Sequence, residues 1–202
     1  MEKKWSHFIL PFSIFFIFSL LIINWSEISW IFDWHVIKRV SEEIIISPKD
    51  KELGREAIGE INRLLIPSLN TEVPLRTPSD GSDIVLLGEL DLGVVHYPYS
   101  AEPGAIGKTV ILGHSAPIGY PDIKFDRVFS ELGELKPGDE IQIYYNERLF
   151  SYIVDNVQTM SIDEYNHFLL EPTEEHILIL STCYPPGRNW QRWIVISHLL
   201  TE

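Results

Sequence analysis

The apolar residues fall into two regimes along the chain. Phe8 to Ile23 is almost wholly aliphatic or Phe, and none of the 22 residues from Trp5 to Ser26 carries a formal charge. As a helix rising about 1.5 Å per residue they would reach ~33 Å, enough for a hydrocarbon core of ~30 Å. Pro11 falls in the first turns, where a missing N–H matters least. A cleavable signal peptide has an apolar region of roughly 7–15 residues and a small-residue cleavage site. This stretch is longer and the first Ala is Ala57, so residues 1–25 read as an uncleaved transmembrane anchor. Lys3 and Lys4 before it, against Glu27 and Asp33 after it, place its N-terminus inside and the rest extracytoplasmic, a bias that Lys38 and Arg39 weaken.

Residues 26–65 read as a juxtamembrane helix or linker. Trp30, Ile31, Trp34 and Ile37 share one helical face, suited to a membrane interface or to packing on the domain. Asp50 to Leu65 is charged and fits either a helix or a linker.

From about Ile66 the pattern changes to short apolar runs separated by Pro, Gly, Asn and Asp. Strands are predicted at Ile84–Leu87, Val110–Leu112, Glu140–Tyr145, Leu149–Val154, Ile177–Leu180 and Trp193–Ile196. Asn146-Glu147 sits where a hairpin turns, and Lys136-Pro137-Gly138-Asp139 has turn chemistry. Phe125, Val128, Phe129 and Leu132 carry a helical stripe, and Asp163 caps a predicted helix through Leu170. Many short strands with few helices favour a barrel or sandwich over 66–202, an all-β-dominated domain.

With 202 residues, 45% of them hydrophobic, the chain has the material for one sizeable core. The net charge of -13 opposes attraction to a phosphate backbone, so no nucleic-acid partner is expected. The single Cys excludes an internal disulfide and a zinc site of two or more cysteines. No His pair has tight metal-ligand spacing, and neither a metal nor an organic cofactor is expected.

That Cys follows the continuous apolar run Ile177-Leu178-Ile179-Leu180, after Ser181-Thr182 and before the loop Tyr184-Pro185-Pro186-Gly187. A nucleophile at the end of a buried strand is held rigidly yet faces a cleft. The alternative is a small buried thiol that only packs. Arg192, nine residues on, begins the next predicted strand, so the loop returns it beside Cys183. A permanent cation there favours the reactive thiolate and donates to an oxyanion. Arg188 competes for that role. Of seven His, His114 (just past a buried strand, after Gly113) and His96 remain as candidates for the general acid.

Leu112-Gly113-His114, Leu180-Ser181-Thr182-Cys183 and Arg192, in this order and behind an N-terminal anchor, resemble the sortases, membrane-anchored cysteine transpeptidases of the bacterial surface. Phe129–Leu135 and Gly138-Asp139-Glu140-Ile141 resemble the family's helix, turn and strand after its histidine, and Ile66-Pro67 with Val73-Pro74-Leu75 its opening strand pair. The family usually carries Thr where this chain has Ile179. The resemblance implies a closed eight-stranded β-barrel with a few short helices, and it selects His114 over His96.

It also implies the chemistry. Cys183 attacks the Thr–Gly-type bond of an LPXTG-like sorting signal on a surface protein. Arg192 and the Tyr184 N–H hold the oxyanion, with Thr182 and Ser181 beside the groove. His114 protonates the leaving amine and then activates an acceptor amine from a cell-wall precursor or a protein Lys. Calcium supports some family members, but no ligands for it are identifiable here. A thiol peptidase, or a silent peptide-binding barrel on the membrane, are the alternatives.

Overall fold

Short alternating runs cannot bury one face alone, and here they bury it against each other. The computed structural model describes residues 6–25, 29–32, 34–45, 62–117, 119–121 and 123–200. Its helices are α1 (Ser6–Ile23), α2 (Trp34–Ile45), α3 (Asp83–Leu90) and α4 (Ile162–Leu170). Its strands are β1 (Arg63–Ile66), β2 (Thr71–Arg76), β3 (Val94–His96), β4 (Gly107–Leu112), β5 (Glu140–Tyr145), β6 (Arg148–Ser161), β7 (His176–Tyr184) and β8 (Gln191–Leu199). The chain divides into two units, Met1–Ile45 with Pro117–Pro121, and Ile46–Ala116 with Asp122–Glu202.

In the second unit the strands close a barrel in the order β1-β2-β3-β4-β7-β8-β6-β5, with β5 returning to β1. The β2–β3 and β4–β7 pairs are parallel, and all the others are antiparallel. Alternation along β7 sends Leu178 and Leu180 inward against Leu64, Ile141 and Val195. Ile179 points outward and is covered, with Val110 and Ile194, by Tyr165 of α4. A capping box starts α4: Ser161 Oγ accepts the Glu164 N–H, and the Glu164 carboxylate accepts the Ser161 N–H. α3 sets Leu86 and Leu90 against Val95.

Several predicted elements differ from those observed. Ile84–Leu87, expected as a strand, lies within α3. Its four apolar residues fit a strand or a helix turn equally, and the acidic first turn at Asp83 decides for the helix. The helical stripe from Phe125 to Leu132 is instead a run of turns, followed by a 3-10 turn at Leu132–Glu134. Phe129 and Leu132 still bury in the barrel. The strand at His96 was not anticipated. The barrel's first strand starts at Arg63, ahead of the expected Ile66. Residues 46–61, most of the expected linker, lie outside the described residues.

Asn146 and Glu147 both take positive φ (48° and 62°), as a two-residue hairpin turn requires. Gly138 has φ 97° in the Lys136–Asp139 turn, where the Asp139 N–H donates to the Lys136 carbonyl at 3.0 Å.

In the first unit, α1 exposes Phe12, Phe15, Phe18, Ile22 and Ile23. Among the described residues no helix is long and apolar enough to cross a membrane. The expected transmembrane helix over 1–25 is thus corrected to the shorter α1, whose 18 residues span ~27 Å at about 1.5 Å each, below a core of ~30 Å. Beyond α1, Trp25 stacks on Phe32 with ring centroids 5.8 Å apart, and Ile31, Trp34 and Ile37 are exposed.

Candidate active site

The nucleophile is positioned by a strand longer than its apolar run. β7 continues through Ser181, Thr182 and Cys183 to Tyr184, because each pairs with β8, Cys183 opposite Arg192. By alternation Cys183 shares the outward face with Ile179 and Ser181. Ile179 and Ser181 are buried; Cys183, beyond them, is half-buried. Arg192 Nη1 donates to Cys183 Sγ at 3.7 Å. The rival cation is occupied elsewhere: the Arg188 guanidinium lies over the Trp190 ring, 4.5 Å from its centroid.

His114 follows β4, which pairs parallel with β7 up to Leu112 opposite Ser181. The same register continued by two residues would set 114 opposite 183. Two hydrogen bonds carry the strands on past the ladder: Thr182 Oγ1 donates to the Gly113 carbonyl (2.7 Å, buried) and Ser115 Oγ to the Cys183 carbonyl (2.8 Å). Gly113 is needed where it stands, since a Cβ would lie 2.3 Å from the Phe129 ring. Thus the backbone of His114 is tied on both sides to the nucleophile's strand. His96 differs: it is buried in β3, with Nε2 donating to the Ala101 carbonyl at 2.9 Å and lying 3.1 Å from Ser100 Oγ. Those bonds hold its ring within the fold.

Ser181 and Thr182, expected beside the groove, are buried. Thr182 spends its hydroxyl on the Gly113 carbonyl, while the Ser181 hydroxyl faces the Tyr165 phenol, and neither Ser181 nor Tyr165 makes a well-formed bond. Burial pushes the Tyr165 phenol up, with smaller opposing pulls from Ser181 and Arg192. Tyr184 packs on Trp193 (centroids 4.6 Å apart) at the rim of a cavity of about 90 Å³ that Cys183, Glu131 and Glu134 also line. A larger cavity of about 630 Å³ lies toward the start of β4, between Tyr97, Lys108 and Val110 on one side and Leu169 and Pro172 on the other. Cys183 and Arg192 do not line it. Among the described residues, no cluster of three or more His, Cys, Asp or Glu is placed to hold a metal ion.

Two neighbours of the site were missed. Asn189 Oδ1 accepts from Arg192 Nη1 and from the Cys183 thiol (3.9 Å). Its signal was present, a short polar side chain three residues before Arg192 in the same loop. Asp91, at the C-terminal end of α3, sets Oδ1 3.8 Å from His114 Nε2. Nothing local in the sequence marks it, because α3 brings it there.

The barrel, with a thiol at its rim facing a guanidinium, defines a cysteine-dependent acyl-transfer enzyme. The Sortase domain model matches residues 64–200, and the chain belongs to the sortase family, cysteine transpeptidases that act on surface proteins. Sortase D of Bacillus subtilis (strain 168) is 29% identical over 157 residues, 76% of this chain and 71% of that protein. Sortase A of Bacillus anthracis is 26% identical over 172 residues, 84% and 75% of the two chains. Among solved structures, the pilus-related Sortase C of Group B Streptococcus has a TM-score of 0.56 and 28% identity, over 70% of this chain and 67% of that one.

Proposed function

We propose that Cys183, His114 and Arg192 carry out transpeptidation on an LPXTG-like sorting signal. The Cys183 thiolate attacks the carbonyl of the Thr–Gly-type bond. Arg192 and the Tyr184 N–H stabilise the oxyanion as charge develops. His114 protonates the departing amine, which leaves a thioacyl-enzyme, and then takes a proton from the acceptor amine that forms the new amide. The acceptor is a cell-wall precursor or a protein Lys.

The observation that carries this reading is the cross-strand contact of Arg192 with Cys183 at 3.7 Å. A permanent cation at that distance stabilises thiolate and oxyanion in turn.

The exposed apolar side chains of α1 hold the protein at the membrane, with the barrel on the extracytoplasmic side. Incubating the protein with a panel of LPXTG-like peptides and recording intact mass tests the chemistry. A thioester adduct on Cys183, resolved faster by added amine, supports transpeptidation. Turnover independent of amine makes it a thiol peptidase, and no adduct makes it a peptide-binding barrel.

A further inference from the structure

Arg192 has more acceptors than its donating nitrogen can satisfy. Nη1 carries two N–H groups, yet it lies within reach of Asn189 Oδ1, the Gln191 carbonyl (3.3 Å) and Cys183 Sγ (3.7 Å). The Asn189 amide cannot be turned round, because its NH2 would then face a cation. Its oxygen therefore points inward, shared between the guanidinium and the thiol S–H at 3.9 Å.

The geometry points to Asn189 as a positioning residue for Arg192. This rests on the reading that Arg192 serves Cys183. A long, half-buried Arg loses rotamer freedom when fixed in one place, and the loop supplies the fixing partner three residues away. Held by Asn189, the guanidinium stands beside the sulfur before substrate arrives. When charge develops on sulfur or on the attacked carbonyl, the second N–H is already aimed at it and little reorganisation remains.

Asn189 also acts on the thiol directly, since a carbonyl oxygen opposes a thiolate. That effect is the weaker, because a full positive charge at 3.7 Å outweighs an amide dipole at 3.9 Å. Among the described residues, Tyr184, Glu131 and Glu134 line the small cavity with Cys183, and His114 precedes Ser115, which bonds the Cys183 carbonyl.

The test needs no knowledge of the natural substrate. In the full-length protein in detergent, the rate of Cys183 alkylation by iodoacetamide is followed by intact mass from pH 5 to 9. Arg192→Ala is expected to slow alkylation at neutral pH, and Asn189→Ala to slow it about three- to tenfold. The double variant is expected to be no slower than Arg192→Ala alone. Asn189→Asp keeps an acceptor in place but adds a negative charge, so its profile moves to higher pH while its plateau recovers. Asn189→Ala within 1.5-fold of the parent, or slowing of equal size on the Arg192→Ala background, overturns the inference and leaves the role of Arg192 standing. No effect of Arg192→Ala itself overturns the underlying reading instead.

Discussion

Cys183 and Arg192 are partners in one strand register, directly opposite each other across β7 and β8, with Nη1 3.7 Å from Sγ. Their spacing is set by two backbones, so the cation does not depend on loop conformation to reach the sulfur. Only its side chain needs orienting.

Substitution of either partner therefore separates chemistry from fold. Cys183→Ala is expected to abolish the thioester adduct in intact-mass measurements with sorting-signal peptides. Arg192→Lys is expected to lower turnover by about 10²–10³-fold, the scale of losing an oxyanion donor, because an ammonium cannot reproduce the planar fork. Near-normal turnover of Arg192→Lys would shift the role to Arg188.

The two histidines should fail in opposite ways. His114→Ala is expected to lose turnover while melting close to the parent. His96→Ala leaves the Ala101 carbonyl without the ring N–H that donates to it, at a cost of about 1–3 kcal/mol, and is expected to retain catalysis. Paired thermal melts and peptide turnover measure both, and equal activity losses would show the choice between them to be mistaken.

Gly113→Ala places a methyl 2.3 Å from Phe129 in the barrel core. Either the ring or the strand end must shift, costing about 1–3 kcal/mol. A shifted strand end carries His114 with it, so turnover is expected to fall further than the melting temperature alone would explain. A variant as stable and as active as the parent would mean that Phe129 repacks freely.

The buried phenols set an alkaline limit. Burial raises Tyr165 and Tyr152 above the ordinary value of 10.0. A group raised in the folded state contributes stability that is whole below the unfolded value and lost as pH climbs through the folded one. Unfolding free energy, measured by denaturant titration, is expected to fall above about pH 10. Tyr165→Phe should flatten that fall at little cost at pH 7, since its hydroxyl makes no well-formed bond. An equally steep fall in the variant would remove Tyr165 as its source.

What was legible in the sequence follows physical range. Period-two alternation and turn residues are local, and they located β4 to β8 to within a few residues, apart from the C-terminal extensions of β6, β7 and β8. Those extensions exist because neighbouring strands pair with them, which no local pattern announces. Ile84–Leu87 was too short for its period to be read. The turns around Phe129 hold an inward-facing stripe with i→i+3 turn bonds in place of α-helical ones. At the site, the strand-end thiol and the returning Arg were readable from spacing. His114 needed the family resemblance, because its link to Cys183 runs through the parallel β4–β7 pair. Asp91 was invisible for a similar reason.

That parallel pair also fixes when the molecule becomes reactive. Thr182 and Gly113, bonded across it, are 69 residues apart in the chain, and parallel neighbours cannot meet through a tight turn. Contacts of such separation form late and slowly during folding. The sulfur gains its guanidinium only once β8 is laid down against β7, and the Gly113 carbonyl before His114 meets Thr182 only once β4 and β7 are side by side. The site is therefore assembled by completion of the barrel and not before.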